Sequence, residues 1–229
     1  MTADCEETLR RYRRLDTCVV SDALDSLSGP GGGTATPLRP MWEGARVVGR
    51  AVTVMLRPGP PAAPGPHLGS RAIEHAEPGD VIVVANGGRT QMGSWGGLLC
   101  VAAVQRGIAG VVADGAVRDV DEARQLRFPA FARASTPRTA RGRVHEDGFN
   151  VVVEVAGVSV EPGDLITADG SGVVIVPWAS AEMVLELAEG IFDRELKLAD
   201  LLRSGVPASQ VLGRAYESML DDVPAGGSS

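Results

Sequence analysis

The chain has 229 residues, 44% hydrophobic and 22% charged, with a formal net charge of −7. That balance supports a packed core and excludes a disordered chain, and the acidic excess argues against nucleic acid as a partner. Residues 1–14 lack the apolar core of a signal peptide, no run approaches membrane-spanning length, and Cys5, Cys18 and Cys100 are too scattered for a disulfide framework or a zinc site. The expectation is a cytoplasmic protein without a membrane partner.

A short charged helix is expected over residues 6–14. Thr17 is placed to cap a second one, where Val20, Ala23, Leu24 and Leu27 recur at helical spacing until Gly29. Residues 29–40 read as a loop and 46–56 as a buried strand. Residues 57–70, the longest Pro/Gly stretch, read as a surface excursion or lid. The turn Glu-Pro-Gly-Asp occurs at 77–80 and 161–164, each time entering an apolar run. Strands are also expected within 128–134, 151–155 and 173–176, and helices at both ends and over 98–106. Length permits one domain or two. The expectation is one, spanning 1–229, with a core of about 15–205 and a flexible tail at about 223–229. The class is α/β, with mixed sheets and terminal helices and without a regular β-α-β succession.

The informative stretch is 93–119, GSWGGLLCVAAVQRGIAGVVADGAVRD. It reads as turn, helix, strand and turn, delivering Arg118 and Asp119 just past a strand's carboxyl end, where open α/β sheets hold ligands. The helix starting near Gly96 offers unpaired backbone N–H groups to a carboxylate or phosphate. As a bare dipeptide, Arg118-Asp119 also reads as a surface ion pair.

The stretch resembles the RraA-like family, which includes metal-dependent 4-hydroxy-4-methyl-2-oxoglutarate/4-carboxy-4-hydroxy-2-oxoadipate aldolases and a non-enzymatic regulator of ribonuclease E. The matching motifs are GxxxGLL, GVVADGAVRD and FPAFARASTPR, with TCVVSDALD, VVGRAVTV, EPGDVIVV and VEPGDLITADGSGVVIVP around them. The resemblance implies a layered β/β/α swivelling-domain fold and a homotrimer or hexamer. It implies that Asp119 holds Mg²⁺ or Mn²⁺, mostly through water, and that Arg118 contacts the oxygens of a 2-oxo acid. Gly96, Gly97, Leu98 and Leu99 would bind the substrate, with the amides of Leu98 and Leu99 receiving its carboxylate. The chain departs from the family at Gly97, where an acidic residue or Asn is usual.

In the C-terminal helix, 181–203, Glu195 shares a stripe with Val184, Ala188, Ile191, Leu198 and Leu202. A carboxylate there needs a partner. It either pairs with a nearby arginine such as Arg194 or Arg203, or docks on a neighbouring subunit as the family's cross-subunit catalytic glutamate. The chain's only lysine, Lys197, lies in this charged helix, a poor place for a Schiff base, so a metal is the better electrophile.

The expected function is therefore a lyase acting on a 2-oxo acid through a metal-bound enolate, with Arg118, Asp119 and Glu195 catalytic. It would cleave a 4-hydroxy-2-oxo acid or decarboxylate a β-keto acid such as oxaloacetate, with Gly97 a sign of divergence to another substrate. A non-catalytic RraA-type binding protein is the alternative. Asp114 is expected to support the turn into the motif, and Asp22, Asp25, Asp164 and Asp169 to serve as turn or cap residues, Asp22 with a lesser claim to a site role. His67 reads as an exposed loop histidine within reach of a ligand, and Trp95 as a packing anchor or a pocket wall.

Overall fold

The computed structural model describes residues 3–61 and 63–213, so the expected tail at 223–229 lies outside the described residues. Helices α1 (Ala3–Tyr12) and α2 (Thr17–Ser28) open the chain. Asp16, not Thr17, caps α2, its carboxylate accepting from the amides of Cys18 and Val19. Thr17 instead donates its hydroxyl to Asp169 at 2.7 Å, because it is the first residue inside the helix.

Strands β1 (Arg39–Pro40), β2 (Val47–Pro58), β3 (Val81–Gly93), β4 (Gly110–Val117) and β5 (Ala130–Ser135) follow, with helices α3 (Ser70–His75), α4 (Gly97–Gln105) and α5 (Val120–Gln125) between them. Strands β2 to β5 pair side by side in parallel. The middle of the chain is thus a regular β-α-β succession, against expectation, because α3 and α5 are only six residues long and leave little periodicity to read. β6 (Val144–Phe149), β9 (Leu165–Asp169) and β10 (Gly172–Val176) are antiparallel to their neighbours, which makes the sheet mixed. β7 (Val153–Val155) and β8 (Val158–Val160) form a separate hairpin, so only the end of 151–155 is strand. The chain closes with α6 (Ala181–Arg203), matching the sequence expectation, and the short α7 (Ala208–Val211).

Alternation along β3 explains its continuous apolar run. Ile82 and Val84 pack under α3, α4 and α5, whereas Val81, Val83 and Ala85 face a second β layer containing Val153, Val160, Ile166 and Ile175. A parallel strand buried on both faces has no polar side to show. Helices α1, α2 and α6 pack on β9 and β10 through Tyr12, Val20, Leu165, Val176 and Leu185.

The two Glu-Pro-Gly-Asp turns are built alike. Asp80 and Asp164 each accept the backbone N–H of the glutamate three residues earlier, at 2.9 and 2.8 Å. Gly79 and Gly163 take φ of 91° and 90°, which a β-carbon would disfavour. Asp114 and Gly115 form no turn. They lie inside β4, where pairing to β5 slips between Ala113 and Ala116. Asp114 is buried, forms an ion pair with Arg133 and accepts from the Ala156 amide at 3.1 Å, tying β4 to β5 and to the hairpin.

Candidate active site

Two connections meet at the carboxyl ends of β3 and β4. Residues 94–96 lead from β3 into α4, and Arg118 and Asp119 lead from β4 into α5. Ser94 donates its amide to the Ala116 carbonyl at 2.7 Å, and Arg118 donates its amide to Trp95 at 2.8 Å. Asp119 Oδ2 accepts from the Gly97 amide at 2.9 Å. Gly96 has no side chain with which to cap α4, so the carboxylate from the next strand end does it. The amides of Leu98 and Leu99 have no acceptor among the described residues, leaving the positive end of α4 available to an anion.

Asp119 adopts φ 57° and ψ 42°, a left-handed conformation uncommon outside glycine. Backbone held this way beside convergent polar groups is a mark of functional sites. The Arg118 stem lies over the 93–96 turn, where a β-carbon on Gly93 or Gly96 would stand 3.0 Å from its Cγ. Its Nε contacts Asp119 Oδ2 at 3.2 Å, and its two terminal nitrogens have no partner among the described residues.

These groups line one cavity of about 400 Å³. Gly96, Gly97, Leu98, Leu99, Arg118 and Asp119 all border it, as expected. The Leu98 side chain is 84% exposed, and Leu99 is buried. Trp95 is both anchor and wall, being 2% exposed, stacked on Phe128 and in contact with the cavity. His67 borders the cavity too, its Nδ1 2.9 Å from the Leu68 carbonyl.

Glu195 does not line the cavity. It is half-buried, and the intrachain arginine pair, one of its two expected fates, does not form among the described residues: Arg194 donates to the Gly190 carbonyl and Arg203 pairs with Asp200. Burial, then the charges of Asp16 and Asp22, push its carboxyl above the ordinary value. Asp22 is also outside the cavity, and its carboxyl is raised by burial, then by Asp25 and Asp16. Asp25, Asp164 and Asp169 accept backbone amides, as turn and cap residues do. Lys197 is exposed on α6.

The residue missed in the sequence is Glu122. It lies three positions after Asp119 in the first turn of α5, on the same face, and its carboxylate reaches across to Gly97. A β-carbon at Gly97 would collide with Glu122 Oε2. The carboxylate therefore sits where a side chain at position 97 would begin. Thr139 and Arg141, on the far wall, were missed as well.

Asp119 and Glu122 supply hard oxygen donors, while no group of three His, Cys, Asp or Glu able to hold a metal occurs among the described residues. Two carboxylates suit Mg²⁺ or Mn²⁺, which keep several waters and take few protein ligands, and do not suit a closed zinc site. The residues present fit the expected cation.

The RraA-like family model (Aldolase/RraA) matches residues 17–175, more than half of the chain. The chain belongs to the RraA-like family. A Halalkalibacterium halodurans relative, named "Putative 4-hydroxy-4-methyl-2-oxoglutarate aldolase", is 35% identical over 182 residues, covering 79% of this chain and 81% of that protein. Among solved structures, an uncharacterized protein of Pseudomonas syringae pv. tomato superposes with a TM-score of 0.82 at 31% identity, covering 91% of this chain and 98% of that one. Streptomyces coelicolor RraAS2, described as an unusual member of the RNase ES inhibitor RraA protein family, gives 0.75 at 28% identity, covering 86% and 96%. The RraA-like fold expected from the motifs is thus present, with its mixed sheet and terminal helices. No helix among the described residues is long and apolar enough to cross a membrane.

Proposed function

We propose that this RraA-like chain is a divalent-metal-dependent lyase acting on 2-oxo acids. The observation that carries the reading is the convergence of Arg118, Asp119, Glu122 and the uncapped amides of Leu98 and Leu99 on one cavity. A Mg²⁺ or Mn²⁺ held by Asp119 and Glu122 would supply positive charge beside the 2-oxo acid's oxygens, where negative charge develops.

The chain's own groups do the rest. The amides of Leu98 and Leu99, at the positive end of α4, orient the substrate carboxylate. The free terminal nitrogens of Arg118 stabilise the enolate oxygen, a planar fork matched to carboxylate and enolate. In retro-aldol cleavage a base takes the C4 hydroxyl proton, the C3–C4 bond breaks, and its electron pair delocalises onto the C2 oxygen. Protonation at C3 then gives pyruvate. Decarboxylation of a β-keto acid uses the same enolate and needs no base at C4.

Glu195 is assigned that base, brought by a neighbouring subunit of a homotrimer or hexamer. Its raised carboxyl, the lack of an ion pair among the described residues and its place outside its own cavity support this role. The test is pyruvate release from 4-hydroxy-4-methyl-2-oxoglutarate and from oxaloacetate, with Mg²⁺ and with EDTA. Release abolished by EDTA and restored by Mg²⁺ is expected. No release under either condition, with the fold intact, would leave the non-catalytic binding role suggested by the likeness to RraAS2.

A further inference from the structure

Beside the active-site cavity lies a second one of about 390 Å³, between the Pro/Gly stretch and β6. His67, Leu68 and Arg141 line both, so the two share a wall. The charge around the second cavity is one-sided. Its lining carboxylate, Glu146, has a side chain only 6% exposed and is already held by Arg71 at 2.7 Å and by the Gly69 amide at 2.6 Å. Arg141 differs: its backbone N–H and C=O are engaged, while its guanidinium has no hydrogen bond or ion pair among the described residues. His145 turns Nδ1 to the Gly59 carbonyl at 3.0 Å and adds no negative charge. An unpaired guanidinium where two cavities join, with the nearby carboxylate already neutralised, is suited to a carboxylate ligand.

We infer that the second cavity receives the distal half of the substrate and that Arg141 determines specificity by binding a second carboxylate there. The inference rests on the lyase reading of the first cavity, where the 2-oxo acid end would sit. Pyruvate would fill that first cavity alone and offer no second carboxylate to Arg141 where the two cavities join. A longer 2-oxo acid would be distinguished by whether its far end carries an acid group.

Calorimetric titration of the whole chain with Mg²⁺ present tests this, using pyruvate, 2-oxoglutarate and 2-oxopentanoate. The last two share a five-carbon chain and differ in the terminal carboxylate. Wild type should bind 2-oxoglutarate about tenfold or more tighter than 2-oxopentanoate, as expected for a hydrogen bond between charged groups. Arg141→Gln should erase that preference by weakening 2-oxoglutarate at least tenfold more than pyruvate, while Arg141→Lys keeps part of it. A preference that survives in Arg141→Gln, or equal weakening of all three ligands, overturns the inference. Pyruvate binding without any preference in wild type removes the distal site but leaves the lyase reading standing. A preference lost in Arg141→Gln, in a protein that releases no pyruvate from any substrate, keeps the distal site and removes the lyase reading. If wild type binds none of the three, both fall.

Discussion

The Glu122 carboxylate fills the space that a side chain at Gly97 would need, its Oε2 standing where it would collide with a β-carbon there. An acidic residue at position 97, as the family motif leads one to expect, would project from the start of α4. This chain instead brings a carboxylate to the same place from α5.

Gly97→Ala should push Glu122 outward at small cost to the fold, because the colliding atom ends a flexible side chain. Mn²⁺ affinity should fall by about 10- to 100-fold in both Gly97→Ala and Glu122→Ala, the scale seen when groups supporting a metal site are lost. The double variant should bind no more weakly than either single one, because both remove the same contact. Additive losses in calorimetric Mn²⁺ titrations would mean that Gly97 and Glu122 act separately.

Asp119→Asn should keep the left-handed backbone, which Asn tolerates, and abolish the metal-stimulated turnover. Asp119→Ala should do the same and also cost about 1–2 kcal/mol of stability, from the left-handed φ and the lost cap on Gly97. Urea unfolding separates the two variants. Full turnover in Asp119→Asn would remove the metal assignment.

Arg118→Lys should lower kcat/KM by about 10²-fold, since an ammonium cannot reproduce the two-pronged contact. An unchanged kcat and KM would reduce Arg118–Asp119 to a surface ion pair.

Glu195 gives a prediction with a definite sign in pH. Its carboxyl is raised in the folded chain by burial and by Asp16 and Asp22, so ionisation opposes folding. That cost is absent below the unfolded value, near 4.5, and is fully present once pH exceeds the raised folded value. Glu195→Gln should therefore melt higher than wild type at pH 7.5, with the difference vanishing near pH 4, while turnover falls by about 10²- to 10⁴-fold. A variant that melts lower at pH 7.5 would show that Glu195 is paired in solution. Light scattering belongs with this experiment, since a monomer at micromolar concentration would exclude the cross-subunit role.

Asp114→Ala should destabilise the protein by about 1–3 kcal/mol, because it removes the buried carboxylate that holds the partly exposed Arg133 and the Ala156 amide. Pyruvate affinity of the folded fraction should not change. Tighter coupling to binding would place Asp114 in the site.

The sequence by itself determined strands β2 to β5, β9 and β10, the long C-terminal helix and the position of Arg118 and Asp119 past β4, while β1, β6 and β8 were not read. Each rests on local signals: β-branched runs, Glu-Pro-Gly-Asp turns, helical spacing and a family motif within 27 consecutive residues. It also supplied the RraA-like fold, because ordered motifs repeat a known arrangement. The short helix α5 left too few residues to show a period, so Glu122 passed as one more acidic residue in a charged run. Only the tertiary structure decided that Asp119 caps α4, that Glu122 stands in the space left by Gly97, and that Arg141 joins two cavities. The first two are contacts between residues 22 and 25 positions apart, the third joins separate loops, and no local periodicity encodes them. Glu195 shows the same limit from the other side: its stripe was legible, but its surroundings, with no arginine partner among the described residues, depend on where α6 meets α2. The physical reason is that secondary structure answers to neighbours in sequence, whereas a site answers to neighbours in space.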